Sequence, residues 1–169
     1  MFHLYQQRHA STSALSVSAS DAAGKYFNLE ELEDAETSLT ELFFNPNGKI
    51  TIGVTDGPFF KESDGEWEVD GNTGSFKMIM MRKYEAGKDT KNPMDMGEFS
   101  FKVERVYTGT VTDVGGLIAF EGVMHAIDET FGDLQVGFFK MLDTTEARQG
   151  LSDEELADKM LSNKKVSSK

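Results

Sequence analysis

Between residues 37 and 142, apolar side chains return at every second position in one short run after another. The runs are separated by Gly, Asn and Asp, with nothing of helical period between them. That pattern constrains the fold more than any other feature, because period-two alternation marks strands with one buried face. The first run, TSLTELFF, is followed by the turn Asn45-Pro46-Asn47-Gly48 and then by KITIGVT, with Ile50, Ile52 and Val54 on one face. Further runs cover 65–70, 75–84, 98–110, 117–125 and 134–142, joined through DGPFFKESDG, DGNTG, DVGG and IDETFGD. Without crossover helices such strands pair antiparallel. The expected fold is mainly β: an antiparallel meander of about seven strands, closed into a barrel or folded over on itself so that its apolar face is buried.

The flanks differ from this body. Residues 1–25 are rich in Ser and Ala, hold Asp21 as their one acid, and lack a long apolar stretch. Such a start resembles an organelle transit peptide as much as a plain polar tail, and it is left outside the expected fold. The acidic stretch FNLEELEDAE reads as one or two helical turns. The expected β-domain spans 26–147, and 148–169 hold a short helix and a polar tail. In LSDEELADKML, Ser152 and Glu155 form a capping box, and Leu156 and Met160 share a face that would dock on the body.

Two stretches echo each other: FKMIMMRKY from Phe76 to Tyr84, and FSFKVERVY from Phe99 to Tyr107. Read at every second residue, both are apolar stripes with an arginine in fourth place, Arg82 and Arg105. A hairpin centred on the polar loop between them pairs Tyr84 with Phe99, Arg82 with Phe101 and Met78 with Arg105. This register puts both stripes on one face. The arginines then lie about 13 Å apart along the strands, near opposite ends of the hairpin. An unpaired buried charge is costly, so each guanidinium is expected to reach a rim, a carboxylate or a ring face. Gripping an anionic ligand inside a barrel is the functional alternative. The structural reading is preferred because no other ligand-binding signature accompanies the arginines.

A net charge of −12 argues against sequence-independent nucleic-acid binding and against anionic membranes. With no cysteine there is no disulfide framework, thiol nucleophile or Cys-based metal site, and no N-x-S/T sequon is present. The motifs G-x-S-x-G, GxxxxGK[ST] and GxGxxG are missing. His125, beside Asp128 and Glu129, has no histidine partner outside the first nine residues and reads as a surface residue at a turn. Oxygens at 89, 92, 95 and 98 lack EF-hand spacing. No cofactor or metal is expected.

In GEWEVDG the acids alternate away from Trp67, which places Trp67 in the core or at its rim. Met78 and Met80 fit the core stripe, whereas Met81 falls on the other face with Ile79. The pair Phe138-Phe139 likewise supplies both faces of one strand. A sheet apolar on both sides needs a second layer, a docked helix or a partner. Ligand or interface candidates are therefore Arg82, Arg105, Tyr84, Tyr107, Trp67, Met81, Phe138 and Phe139.

G-x-W at 65–67 within a β-meander is similar to lipocalin-like and avidin-like barrels, although in lipocalins the motif opens the barrel and here two strands precede it. A second resemblance covers about residues 39–147, through GEWEVDG, MGEFSFKVERVYTG, GVMHAIDETFGD and VGFFKMLDTTEAR. These segments resemble small β-proteins from the plastids of diatoms and related algae. That group includes an extrinsic stromal-side subunit of the photosystem I–antenna supercomplex. The resemblance implies a plastid location on the stromal side and a protein partner such as a thylakoid membrane complex. It supplies no catalytic residue. Mitochondrion and cytoplasm are the alternative locations. Three functions follow in order: a non-catalytic interaction protein, a lipocalin-like carrier of a lipid, pigment or other small apolar ligand, and a barrel isomerase with His125 or a glutamate inside.

Overall fold

A computed structural model of the protein describes residues 17–86 and 99–167. The transit-like start up to residue 16 and the polar loop between the two echoing stretches, with its oxygens at 89–98, lie outside the described residues. Eight strands follow one another: β1 (Tyr26–Glu33), β2 (Glu36–Phe44), β3 (Ile50–Thr55), β4 (Glu62–Asp70), β5 (Ser75–Ala86), β6 (Phe99–Val114), β7 (Leu117–Asp128) and β8 (Gly132–Asp143). All pair antiparallel in the order β3-β2-β1-β8-β7-β6-β5-β4. This is an up-and-down meander in which β8 returns to β1, so the sheet curls into a nearly closed barrel. The remaining seam, between β3 and β4, is joined by a single bridge, Lys49 to Glu66.

The meander class is as the alternation indicates, with one strand more than expected. The addition is β1, in the stretch read as helical turns. Its inward positions are Phe27, Leu29, Glu31 and Glu33, and the two glutamates hide an otherwise strand-like stripe.

The hairpin of β5 and β6 keeps the expected parity but is displaced by two residues. Met78 faces Tyr107, Met80 faces Arg105 and Tyr84 faces Phe101. The arginines are consequently about 7 Å apart along the strands, at the same end of the barrel instead of at opposite ends of the hairpin.

Inward residues fill the barrel. Phe27, Leu29, Leu42, Phe44, Phe76, Met78, Met80, Tyr107, Phe120, Met124 and Met141 are all at most 2% exposed. Phe76 and Phe120 have ring centroids 4.4 Å apart, Phe27 and Phe44 4.6 Å, and Tyr107 meets Phe139 edge-on at 5.4 Å. At the end opposite Arg82, helix α1 (Ala19–Ala22) brings buried Val17 and Ala22 into this core. Residues 17–24 therefore belong to the folded body, although composition set them with the tail.

The other two helices lie outside the barrel. In α2 (Thr145–Arg148), Arg148 Nε sits 2.8 Å from Glu41 Oε2 on the outer face of β2. Burial pushes the Glu41 carboxyl up, against the opposing pull of Arg148. In α3 (Asp153–Ser167), Leu156 and Met160 are buried and the Ser152–Glu155 capping box forms as read. Among the described residues no helix is long and apolar enough to cross a membrane.

Candidate functional site

Two regions carry the expected site residues: a charged end inside the barrel and an apolar outer face. Strands β1, β5 and β6 bring the charges together. Arg82 donates from Nη1 and Nη2 to Glu31 Oε1 and Oε2 at 3.1 and 2.8 Å, a bidentate pair spanning the barrel from β5 to β1. The Tyr107 hydroxyl donates to Glu31 Oε1, and Ser38 Oγ donates to Oε2 at 3.4 Å. Arg105 donates from Nε and Nη2 to Glu33 at 3.0 and 2.6 Å.

Burial alone would push the Arg82 guanidinium down. The Glu31 carboxylate outweighs it and holds the group above its ordinary value. Burial, then the charge of Glu31, pushes the Tyr107 phenol well up. Hydrogen bonds donated to Glu33 lead in raising Arg105. Every Glu31 oxygen is thus met by donors, and an anionic ligand at Arg82 would have to displace Glu31. Both arginines are paired with internal counter-ions, although Arg82 Nε is buried without a hydrogen-bond partner.

Above this cluster the surface turns aromatic. Arg82 lies 5.8 Å from the ring centre of Phe60, Phe60 meets Tyr84 edge-on, and Tyr84 stacks on Phe101 at 5.4 Å. The same end exposes Phe59 (87%) and Phe131 (75%) in its loops and Ile127 (62%) near the end of β7. Trp67 is at the opposite end, stacked on Phe44 at 4.6 Å, with Nε1–H donating to Asn45 O at 3.2 Å. It is a core residue.

The outer face of β1, β8 and β7 has an ordered pattern. Phe139 and Met141 point inward, which leaves Phe138, Lys140 and Leu142 outside. Cross-strand pairing aligns Leu32, Phe138 and Val123 in one row, Glu30, Lys140 and Glu121 in the next, and Asn28, Leu142 and Ala119 in the third. Lys140 Nζ pairs with Glu30 at 3.0 Å. Glu121 makes no ion pair among the described residues. A groove of about 790 Å³ crosses this face, lined by Leu39, Val114, Ala119 and Leu142 among others. Phe138 was singled out from sequence. Leu32, Glu121 and Leu142 were not, although the same parity identifies Leu142.

Met81 is half-buried on the outer side of β5, opposite Asp64. His125 lies within β7 rather than at a turn, on the outer face, with Nδ1 2.7 Å from Asp133. It does not enter the barrel. Among the described residues no cluster of three metal-ligating side chains occurs. Comparison with protein-family models, with curated proteins and with solved structures finds no match to this chain.

Proposed function

We propose that the protein is a non-catalytic interaction protein, an accessory subunit that docks on a plastid membrane complex such as photosystem I with its antenna. The observation that carries this reading is the combination of a filled interior with an aromatic end that is exposed among the described residues. Phe59, Phe131, Ile127 and Phe101 are each at least 47% exposed, and all four sit at the Arg82 end of the barrel. Clustered apolar exposure of this kind marks protein interaction surfaces. The resemblance of residues 39–147 to plastid β-proteins supplies the location and the class of partner. A carrier would instead require an enclosed apolar cavity, whereas the interior rings here are in contact with one another.

The test is native fractionation of the source organelle, with the chain located by mass spectrometry. Co-migration with a large thylakoid complex is expected, and the double variant Phe59→Ser/Phe131→Ser should leave that band. Migration of the natural chain only as a small free species overturns the reading.

A further inference from the structure

We infer that the outer face of β1, β8 and β7 is covered by a second copy of this chain, forming a two-fold dimer. The proposal is independent of the membrane-complex reading, which rests on the other exposed surface.

Successive outward residues on a strand are about 7 Å apart, and neighbouring strands about 5 Å. The face is therefore a small lattice with an apolar row on each side of a charged one. An occupant that fits must present apolar, basic and apolar side chains at the same interval. Strand β8 carries this sequence itself, as Phe138, Lys140 and Leu142.

A two-fold axis in the plane of the contact, parallel to the strands and midway between β8 and β7, lays β8 of each copy over β7 of the other and keeps the rows in step. Lys140 then meets Glu121 of the second copy, and by symmetry the same pair forms again. Phe138 covers Val123 and Leu142 covers Ala119. Thr108, Thr110 and Thr112, which pair with Val123, Glu121 and Ala119, come over β1 at Leu32, Glu30 and Asn28, so no like charges meet. A perpendicular axis along the charged row would instead set Lys140 against Lys140. Of these two axes the parallel one satisfies the charges, and it keeps the two sheets within the alignment that face-to-face sheets adopt.

An isologous contact needs one self-complementary patch, which this face provides. Lys140 also has Glu30 at 3.0 Å, so in the dimer it would lie between two carboxylates, and Glu121 gains a cation that it lacks among the described residues. The exposed Leu32, Phe138 and Leu142, each at least 38% accessible, would be covered.

The experiment is sedimentation equilibrium of the purified full chain with two opposite charge reversals. The natural chain is expected at twice 18.8 kDa. Glu121→Lys alone sets two ammonium groups against each other at both contacts, and Lys140→Glu alone sets two carboxylates there. Like charges at an interface cost several kcal/mol, so each should dimerise at least about tenfold more weakly. Mixed together, the two variants restore complementarity at both contacts, and the dimer should return. Its return also shows that both variants are folded. A monomeric natural chain at about 100 μM, far above the range of a stable dimer, or a dimer indifferent to both reversals, overturns the proposal. Neither result bears on co-migration with a membrane complex.

Discussion

At the residue scale the ion pair of Glu31 and Arg82 is a costly commitment. Their side chains are 7% and 12% exposed, so both charges are largely removed from water. Attraction and the hydrogen bonds from Tyr107 and Ser38 offset that desolvation without guaranteeing a surplus. The two kinds of substitution should therefore differ sharply. Arg82→Met leaves Glu31 charged and buried, and should lower unfolding stability by about 3–5 kcal/mol. Replacing the whole unit by Glu31→Leu/Arg82→Met/Tyr107→Phe removes both charges and the hydroxyl that would otherwise be left without an acceptor. That triple variant should recover most of the loss. Urea unfolding at neutral pH compares the two. A single variant as stable as the natural chain would mean that the pair is not held from water in solution. Arg82 and Arg105 were visible in sequence as charges inside apolar stripes. Their partners were not, because Glu31 and Glu33 lie about fifty and seventy residues away on a strand whose own stripe those glutamates obscure.

At the scale of elements, glycine sets how tightly the sheet can coil. Gly109 and Gly122 face each other across β6 and β7. A Cβ on Gly122 would stand 2.1 Å from Thr108 O and 2.6 Å from Gly109 Cα, both backbone atoms that cannot swing aside. Gly122→Ala should therefore cost at least about 1–3 kcal/mol, the range for forcing extra volume into a packed site. Gly71→Ala, whose Cβ would lie 3.4 Å from Ser18, should change little. Thermal unfolding of the two variants checks this, and equal midpoints would show that the barrel can relax at the glycine pair.

The same scale explains which elements were legible. Asn47-Gly48 announced the hairpin of β2 and β3, since Gly48 takes the positive φ the turn requires. The hairpin of β1 and β2 turns on Asp34 and Ala35, at φ 51° and 64°. Alanine pays a steric penalty there and gives no turn signal in sequence, so β1 read as helical. Parity placed Met81 on the outer face correctly and showed that Phe138 and Phe139 take opposite faces, because it depends only on period. The two-residue displacement of β5 against β6 preserves parity and was not encoded in the stripes themselves. The lattice on β1, β8 and β7 required the strand order, which brings residues from both ends of the chain side by side.

At the scale of the whole molecule, the barrel is continuous everywhere except along one line. Strands β1, β7 and β8 have a hydrogen-bonded neighbour on both sides, whereas β3 and β4 each have one. Their seam is joined by the Lys49–Glu66 bridge, by Trp67 N–H donating to Gly48 O at 2.9 Å, and by long contacts from Lys49 to Asp64 and Glu66 at 3.8 and 3.7 Å. Those ion pairs are exposed and contribute little. The carboxylates Glu62, Asp64, Glu66, Glu68 and Asp70 alternate outward along β4. Such charge discourages another chain from adding to an open edge. Local opening should start where the fewest bonds must break, so the seam should yield before the rest. Hydrogen exchange followed by mass spectrometry is expected to show β3 and β4 amides exchanging first and those of β1, β7 and β8 last. The Lys140→Glu variant is the material to use, because it keeps association through the outer face from adding protection to β7 and β8. Removing residues 151–169 should widen the difference, because Leu156 and Met160 are buried where α3 packs on β3. Protection in β3 and β4 equal to that in β8 would show the seam closed in solution, and the acidic outer stripe of β4 would then need a reason other than guarding an edge.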